Sequence, residues 1–212
     1  MCSAILKLIF LPTLLFMVVI GFIRAQPYND HGVQALLSPT DECAAPCFLG
    51  IEPGVTPIDT VLARLEASEW IEDVEIFYGN TLTSTGNIRI QWTWSGQQPA
   101  YINGDVGGRI AVSPNGVVLS IVVFTHTQLA DWFLYQRPDI LVSMSGRHDV
   151  LHMVGYGQQQ VLLSVNTLPC LPPVEQLEAG VWVELGWSMP RNTRLVLNLL
   201  EHPTLYDLEF CQ

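Results

Sequence analysis

Between Ile88 and Trp94 the chain alternates, with Ile88, Ile90, Trp92 and Trp94 apolar and Arg89, Gln91 and Thr93 polar between them. A two-residue period predicts a strand with one buried face. A helical period lies earlier, where Ile58, Val61, Leu62 and Leu65 share one face of a helix predicted over Pro57–Ser68. Its entry carries the Pro53-Gly54 turn, Thr56 as the expected cap, Pro57 where no N–H is needed, and Asp59 beside the free amides. Strands are also predicted at Val74–Tyr78, Arg109–Val112 and Val117–Phe124, the last two joined by a Ser113-Pro114-Asn115-Gly116 hairpin turn. The pattern then begins again. Thr127 is the expected cap of a second short helix bearing Leu129, Trp132 and Phe133 on one face, and Pro138 ends it. Strands follow at Ile140–Met144, Val150–Val154 and Gln160–Val165, with turns at Gly146 and Gly157.

After Cys170 the periods shorten. A helical turn falls within Leu171–Glu178, a strand covers Val181–Trp187, Arg194–Leu200 reads as strand or buried helix, and Tyr206–Cys211 as an edge strand. Helix, strands, helix, strands, without a parallel βαβ rhythm, gives an α+β fold. The expected architecture is two tandem helix-plus-antiparallel-sheet units, residues 47–124 and 125–212, with the helices on one face of the sheet. Residues 26–46, polar and punctuated by Pro27, Pro39 and Pro46, are expected to be a flexible stalk.

The first 25 residues change the compartment. Lys7 precedes a run from Leu8 to Ile23 broken only by Pro12, Thr13 and Gly21, and Ala25 offers a small residue for cleavage. The run is shorter than the roughly 20 residues that span a bilayer comfortably, but Ile5 and Leu6 extend it. Both a cleaved signal peptide and a retained N-terminal membrane anchor remain open, and either puts the rest of the chain outside the cytoplasm. Cys43, Cys47, Cys170 and Cys211 then form an even set in an exported protein, which predicts two disulfides. Cys43–Cys47 with Cys170–Cys211 is the preferred pairing, and a bridge from Cys43 or Cys47 to Cys170 is its rival. Of 9 basic and 20 acidic residues, Lys7 and Arg24 lie in the leader, and no lysine follows Lys7. Such a surface repels phosphate backbones and anionic headgroups, so no nucleic-acid partner is expected.

The entry Pro46-Cys47-Phe48-Leu49-Gly50-Ile51-Glu52-Pro53-Gly54-Val55-Thr56 resembles that of an uncharacterised family of exported bacterial proteins with a PCxxGIxPGxT motif. The segment Gly116–Ile140, with its strand, helix and Pro138-Asp139 turn, is similar to a later part of that family. More distantly, the Gly-x-Thr helix entry and β-meander look like small outer-membrane assembly lipoproteins of the SmpA/OmlA type, and like the tandem repeats of β-lactamase-inhibitor proteins. The chain departs from these in lacking a lipid-attachment cysteine and in carrying Gln136-Arg137-Pro138 where Gly-x-Pro is usual. The near family implies no activity; the distant ones imply protein binding by the sheet, at the level of fold.

Chemistry-bearing residues are sparse. His148 and His152 flank Asp149, but on a strand they stand roughly 13 Å apart, too far for one ion. No serine has nucleophile-elbow flanks, and Gly104–Gly108 does not open a helix. Carboxylates crowd the first third, at Asp41, Glu42, Glu52, Glu69, Glu72, Asp73 and Glu75, without a pattern that separates a catalytic pair from solvated charges. Trp92, Trp94 and Tyr101 are the candidate binding residues, as an open aromatic face, against the alternative that they line the core. The expected role is a non-catalytic binding or envelope-assembly module, secreted or membrane-tethered, without cofactor or metal. Its partner is expected to be another protein or an envelope component. A secreted hydrolase with an acidic cleft and an enzyme-inhibitor-like protein are the alternatives. Mass mapping of non-reduced peptides is expected to recover two cystine links; free thiols at all of Cys43, Cys47, Cys170 and Cys211 would remove the disulfide framework.

Overall fold

The stretch from Ile88 to Trp94 is a strand with the bounds its alternation predicts. The structure, a computed structural model, describes residues 16–21, 32–37, 43–44, 46–79, 88–145, 149–168 and 171–186. Helices α1 (Val33–Leu37) and α2 (Ile58–Ala67) precede strands β1 (Ile71–Tyr78), β2 (Ile88–Trp94), β3 (Gly108–Val112) and β4 (Val118–Gln128). Helix α3 (Leu129–Tyr135) precedes β5 (Ile140–Ser145), β6 (Val150–Tyr156) and β7 (Val161–Thr167), and α4 (Pro173–Leu177) leads into β8 (Gly180–Leu185). Among the described residues the strands form one eight-stranded sheet in the order β1-β2-β3-β4-β8-β7-β6-β5. Every pairing is antiparallel. The fold is α+β, and among the described strands β1 and β5 are the edges.

Alternate residues of each strand enter the core. Ile90, Ile110, Ile121, Leu185, Val161 and Tyr156 pair one after another across the sheet, and all are buried in one cluster. Val61 and Leu65 of α2 and Trp132 of α3 close over them with no exposure. Each such side chain contributes about 1.5–3 kcal/mol on leaving water.

Both expected threonine caps are corrected: at α2 backbone from the β3–β4 turn answers an amide at the helix start, and at α3 side chains of the helix entry do so. The Ile58 N–H donates to the Gly116 carbonyl at 2.8 Å, and Val118 N–H donates to the Thr56 carbonyl at 3.0 Å. The α2 entry is thereby laced to the β3–β4 hairpin. The Thr56 hydroxyl turns back instead and accepts the Glu52 N–H at 2.8 Å. That hairpin turn closes as predicted, with Gly116 N–H on the Ser113 carbonyl at 2.9 Å and Gly116 at φ 78°. At α3 the cap is Gln128, whose N–H is taken by the Asp131 carboxylate at 2.9 Å.

Thr127 has a different task. Its Oγ accepts the Trp132 indole N–H at 2.9 Å and lies 2.6 Å from the Thr125 Oγ. Thr125 in turn lies 3.2 Å from the Val181 carbonyl. A carbonyl only accepts, so the chain has one consistent direction: Trp132 to Thr127 to Thr125 to Val181. All three side chains are buried. This relay ties α3 to the seam between β4 and β8.

Two boundaries also change. Part of the stretch read as a stalk is α1, whose Val33, Leu36 and Leu37 are buried in the core. The division between residues 124 and 125 falls inside β4, which continues to Gln128. Cys43 and Cys47 are joined, with Cα atoms 6.2 Å apart, whereas Cys170 and Cys211 lie outside the described residues. The expected strand or helix at Arg194–Leu200 and the strand at Tyr206–Cys211 also lie outside them. Residues 16–21 are helical, and among the described residues no helix is long and apolar enough to cross a membrane.

Replacing Thr127 by Val keeps its shape but leaves the Trp132 N–H buried without an acceptor. Urea unfolding is expected to show a loss of about 1–3 kcal/mol for Thr127→Val and far less for Thr127→Ser.

Candidate interaction face

The three aromatic candidates belong to the helix-covered side. Trp92 and Trp94 are 2% and 6% exposed, so the alternative reading, a core face, describes them. Their rings meet edge-to-face at 5.6 Å, and Phe48 packs on both at 6.3 Å. The Trp94 indole N–H donates to the Val106 carbonyl at 2.8 Å. Gly108 lies so close beneath the Trp92 ring that a side chain there would collide with it. Tyr101 is half-buried against this cluster, and its backbone carbonyl accepts the His126 N–H at 2.8 Å. Burial pushes its phenol pKa up. These residues hold the first half of the sheet to its helices; they do not form an open aromatic patch.

The opposite face of the sheet is where apolar side chains lack a described covering element. Register places Val122 beside Arg109 and Glu184, and Phe124 beside Trp182. Phe124 and Trp182 are half-buried, with ring centroids 4.7 Å apart, and the exposed Arg109 carries its guanidinium 5.5 Å from the Trp182 centroid. Toward β5 the same face continues through Leu162, Leu151, Met153 and Met144. None of these residues belongs to the core cluster. Toward β1 the face turns polar around an open hollow of about 380 Å³, lined by Asp73, Glu75, Gln91, Thr93, Arg109 and Trp182 among others. Of the carboxylates named from the sequence, Asp73 and Glu75 meet here; Asp41 and Glu42 lie outside the described residues.

This face was missed from sequence because its strands pair across long separations. A signal was nevertheless present: Ile121, Val122, Val123 and Phe124 are apolar without alternation, and such a run means that both sides of a strand are apolar.

His152 is the remaining candidate. His148 lies outside the described residues, and among those described no group of three His, Cys, Asp or Glu side chains is placed to hold a metal ion. His152 is buried, with Nδ1 2.8 Å from the Ser143 hydroxyl and Nε2 3.0 Å from the Thr167 hydroxyl. The arrangement has the outline of a serine–histidine dyad, but the third member is a neutral hydroxyl. Thr167 has no charge with which to stabilise an imidazolium. Burial lowers the His152 pKa, and the group works as a polar clasp across β5, β6 and β7.

No family model matches this chain, and neither a curated protein nor a solved structure matches it at a significant level.

A lowered histidine pKa makes the unfolded chain the better proton acceptor below about pH 6.5. The stability that His152 contributes is therefore complete above that pH and falls as pH drops through it. His152→Gln is expected to flatten this part of the pH–stability curve between neutral pH and pH 5, measured by thermal melts. An unchanged slope would show that other groups set it.

Proposed function

We propose that this chain is an exported, non-catalytic binding or envelope-assembly module that takes a partner protein on the sheet face over which no described helix packs. The observation that carries this reading is the Phe124–Trp182–Arg109 cluster, two half-buried rings beside an exposed arginine on a face over which no described helix packs. Large aromatic and arginine side chains are the residues that carry most energy at protein interfaces. The adjoining hollow supplies two carboxylates, so the partner contributes a basic side chain beside an apolar patch. The leader-like first 25 residues and the Cys43–Cys47 bridge support an extracytoplasmic site, secreted or tethered through the N-terminus.

We read the molecule further as two tandem units, each a helix followed by a four-stranded meander and joined edge to edge at β4 and β8. The mirror-related strand order supports this. The resemblance to the tandem repeats of β-lactamase-inhibitor proteins implies the same two-unit arrangement, and both distant resemblances imply protein binding by the sheet.

A second reading rests on Asp73 and Glu75, which stand two residues apart on one face of β1, about 7 Å along the strand, and both line the hollow. A hydrolase using them would lose turnover in Asp73→Asn and Glu75→Gln. The binding reading expects no turnover in the wild type.

Cross-linking in envelope extracts, followed by mass spectrometry, tests the leading proposal. Phe124→Ala with Trp182→Ala is expected to cost at least tenfold in partner capture, since interface anchors are worth about 2 kcal/mol or more each. The same pair leaves the helix-covered core intact. An unchanged set of captured proteins would sink the proposal.

A further inference from the structure

The two edges of the sheet are chemically unlike. Strand β1 carries Glu72, Asp73 and Glu75 and a register irregularity between Ile71 and Asp73, and both features discourage further pairing. Strand β5 reads Ile-Leu-Val-Ser-Met-Ser and has no charge, no proline and no irregularity in its pairing with β6. Among the described residues nothing pairs with its outer side. Leu141 is 41% and Met144 is 46% exposed, and they stand on opposite faces of the strand. An uncharged, regular edge with apolar residues on both faces is a template for another strand.

We infer that the β5 edge pairs antiparallel with β5 of a second copy of this chain, a contact separate from the face proposed to bind a partner protein. Charge selects this occupant. A chain of formal charge −11 repels its own copy almost everywhere, and β5 is an edge where no acid would face an acid. Its two ends are complementary. Arg137 lies just before the strand and Asp149 in the connection just after it, and both are exposed. A two-fold axis through Ser143, near the middle of β5 and midway between Arg137 and Asp149, brings Arg137 of each copy to the end of the other that carries Asp149. The same axis sets Leu141 beside Ser145, and Val142 beside Met144, across the pair. Because the pairing is short, it buries less than a standard interface, and the dimer dissociates on dilution.

Analytical ultracentrifugation of the purified extracytoplasmic chain over a range of concentrations tests this. The wild type is expected to show a reversible monomer–dimer equilibrium. Leu141→Lys with Met144→Lys is expected to abolish it with the melting temperature retained. Arg137→Glu is expected to weaken it by about two- to fivefold for each of the two pairs, and adding Asp149→Arg is expected to restore it. The charge swap lies outside the strand, so it decides the matter even if the lysine variants are unstable. A wild type monomeric at all concentrations overturns the proposal. So does a dimer indifferent to the lysine variants, or one that the charge swap fails to restore. Partner capture in the Phe124/Trp182 variants is a separate readout, so either idea can fail alone.

Discussion

Pairing of β4 with β8 is the contact on which the remaining architecture depends. Without it the chain holds two meanders, each with an additional exposed edge; with it, one core runs from Ile90 to Leu163. The pair joins residues roughly 60 positions apart, and closing so long a loop is opposed by chain entropy. The Trp132–Thr127–Thr125–Val181 relay sits at this seam and spends every hydroxyl and indole proton in a fixed direction. Its buried members leave little latitude: a slip of either strand would orphan a polar group in the core, which is costlier than the bond itself is worth.

A second constraint acts at the chain entry. The Cys43–Cys47 link precedes Phe48, and Phe48 is the ring on which Trp70, Trp92 and Trp94 converge. Arg64 of α2 donates to the Gly50 carbonyl, and the Gly54 N–H reaches Val118 at 2.8 Å. The entry turn, the helix and the β3–β4 hairpin are thus fastened to one another. An entry motif of Cys, Gly, Pro and Thr therefore has a structural account in full, and the face proposed to bind a partner lies on the other side of the sheet.

What was legible in the sequence was whatever is decided within a few residues. The alternation at β2, the face of α2 and the Ser113–Gly116 turn depend on local periodicity and local turn geometry, and they stand as read. Threonine caps were a local inference too, but at Thr56 distant backbone took the amide, and at Thr127 the hydroxyl is engaged by the Trp132 indole while Gln128 and Asp131 cap the helix. Helix α1 is a single short turn among prolines, too brief to show a period, and only tertiary packing of Val33 and Leu36 makes it helical. The location of Trp92 and Trp94 turned on which face the helices cover. So did the visibility of Phe124 and Trp182, which meet only through the β4–β8 register. Pairing partners leave almost no trace in a single sequence, and the candidate face is made of them.

The unequal edges carry a consequence for how far assembly can run. A unit with two receptive edges polymerises, each addition exposing the same template that accepted it. Here one terminus of the sheet is acidic and irregular, while the other is neutral and regular. Such a unit is monofunctional in the polymer chemist's sense: it can react once and then presents only its unreactive ends. The carboxylates of β1 thus act as a chain stopper, and an apolar edge that would otherwise seed fibres is confined to a closed product.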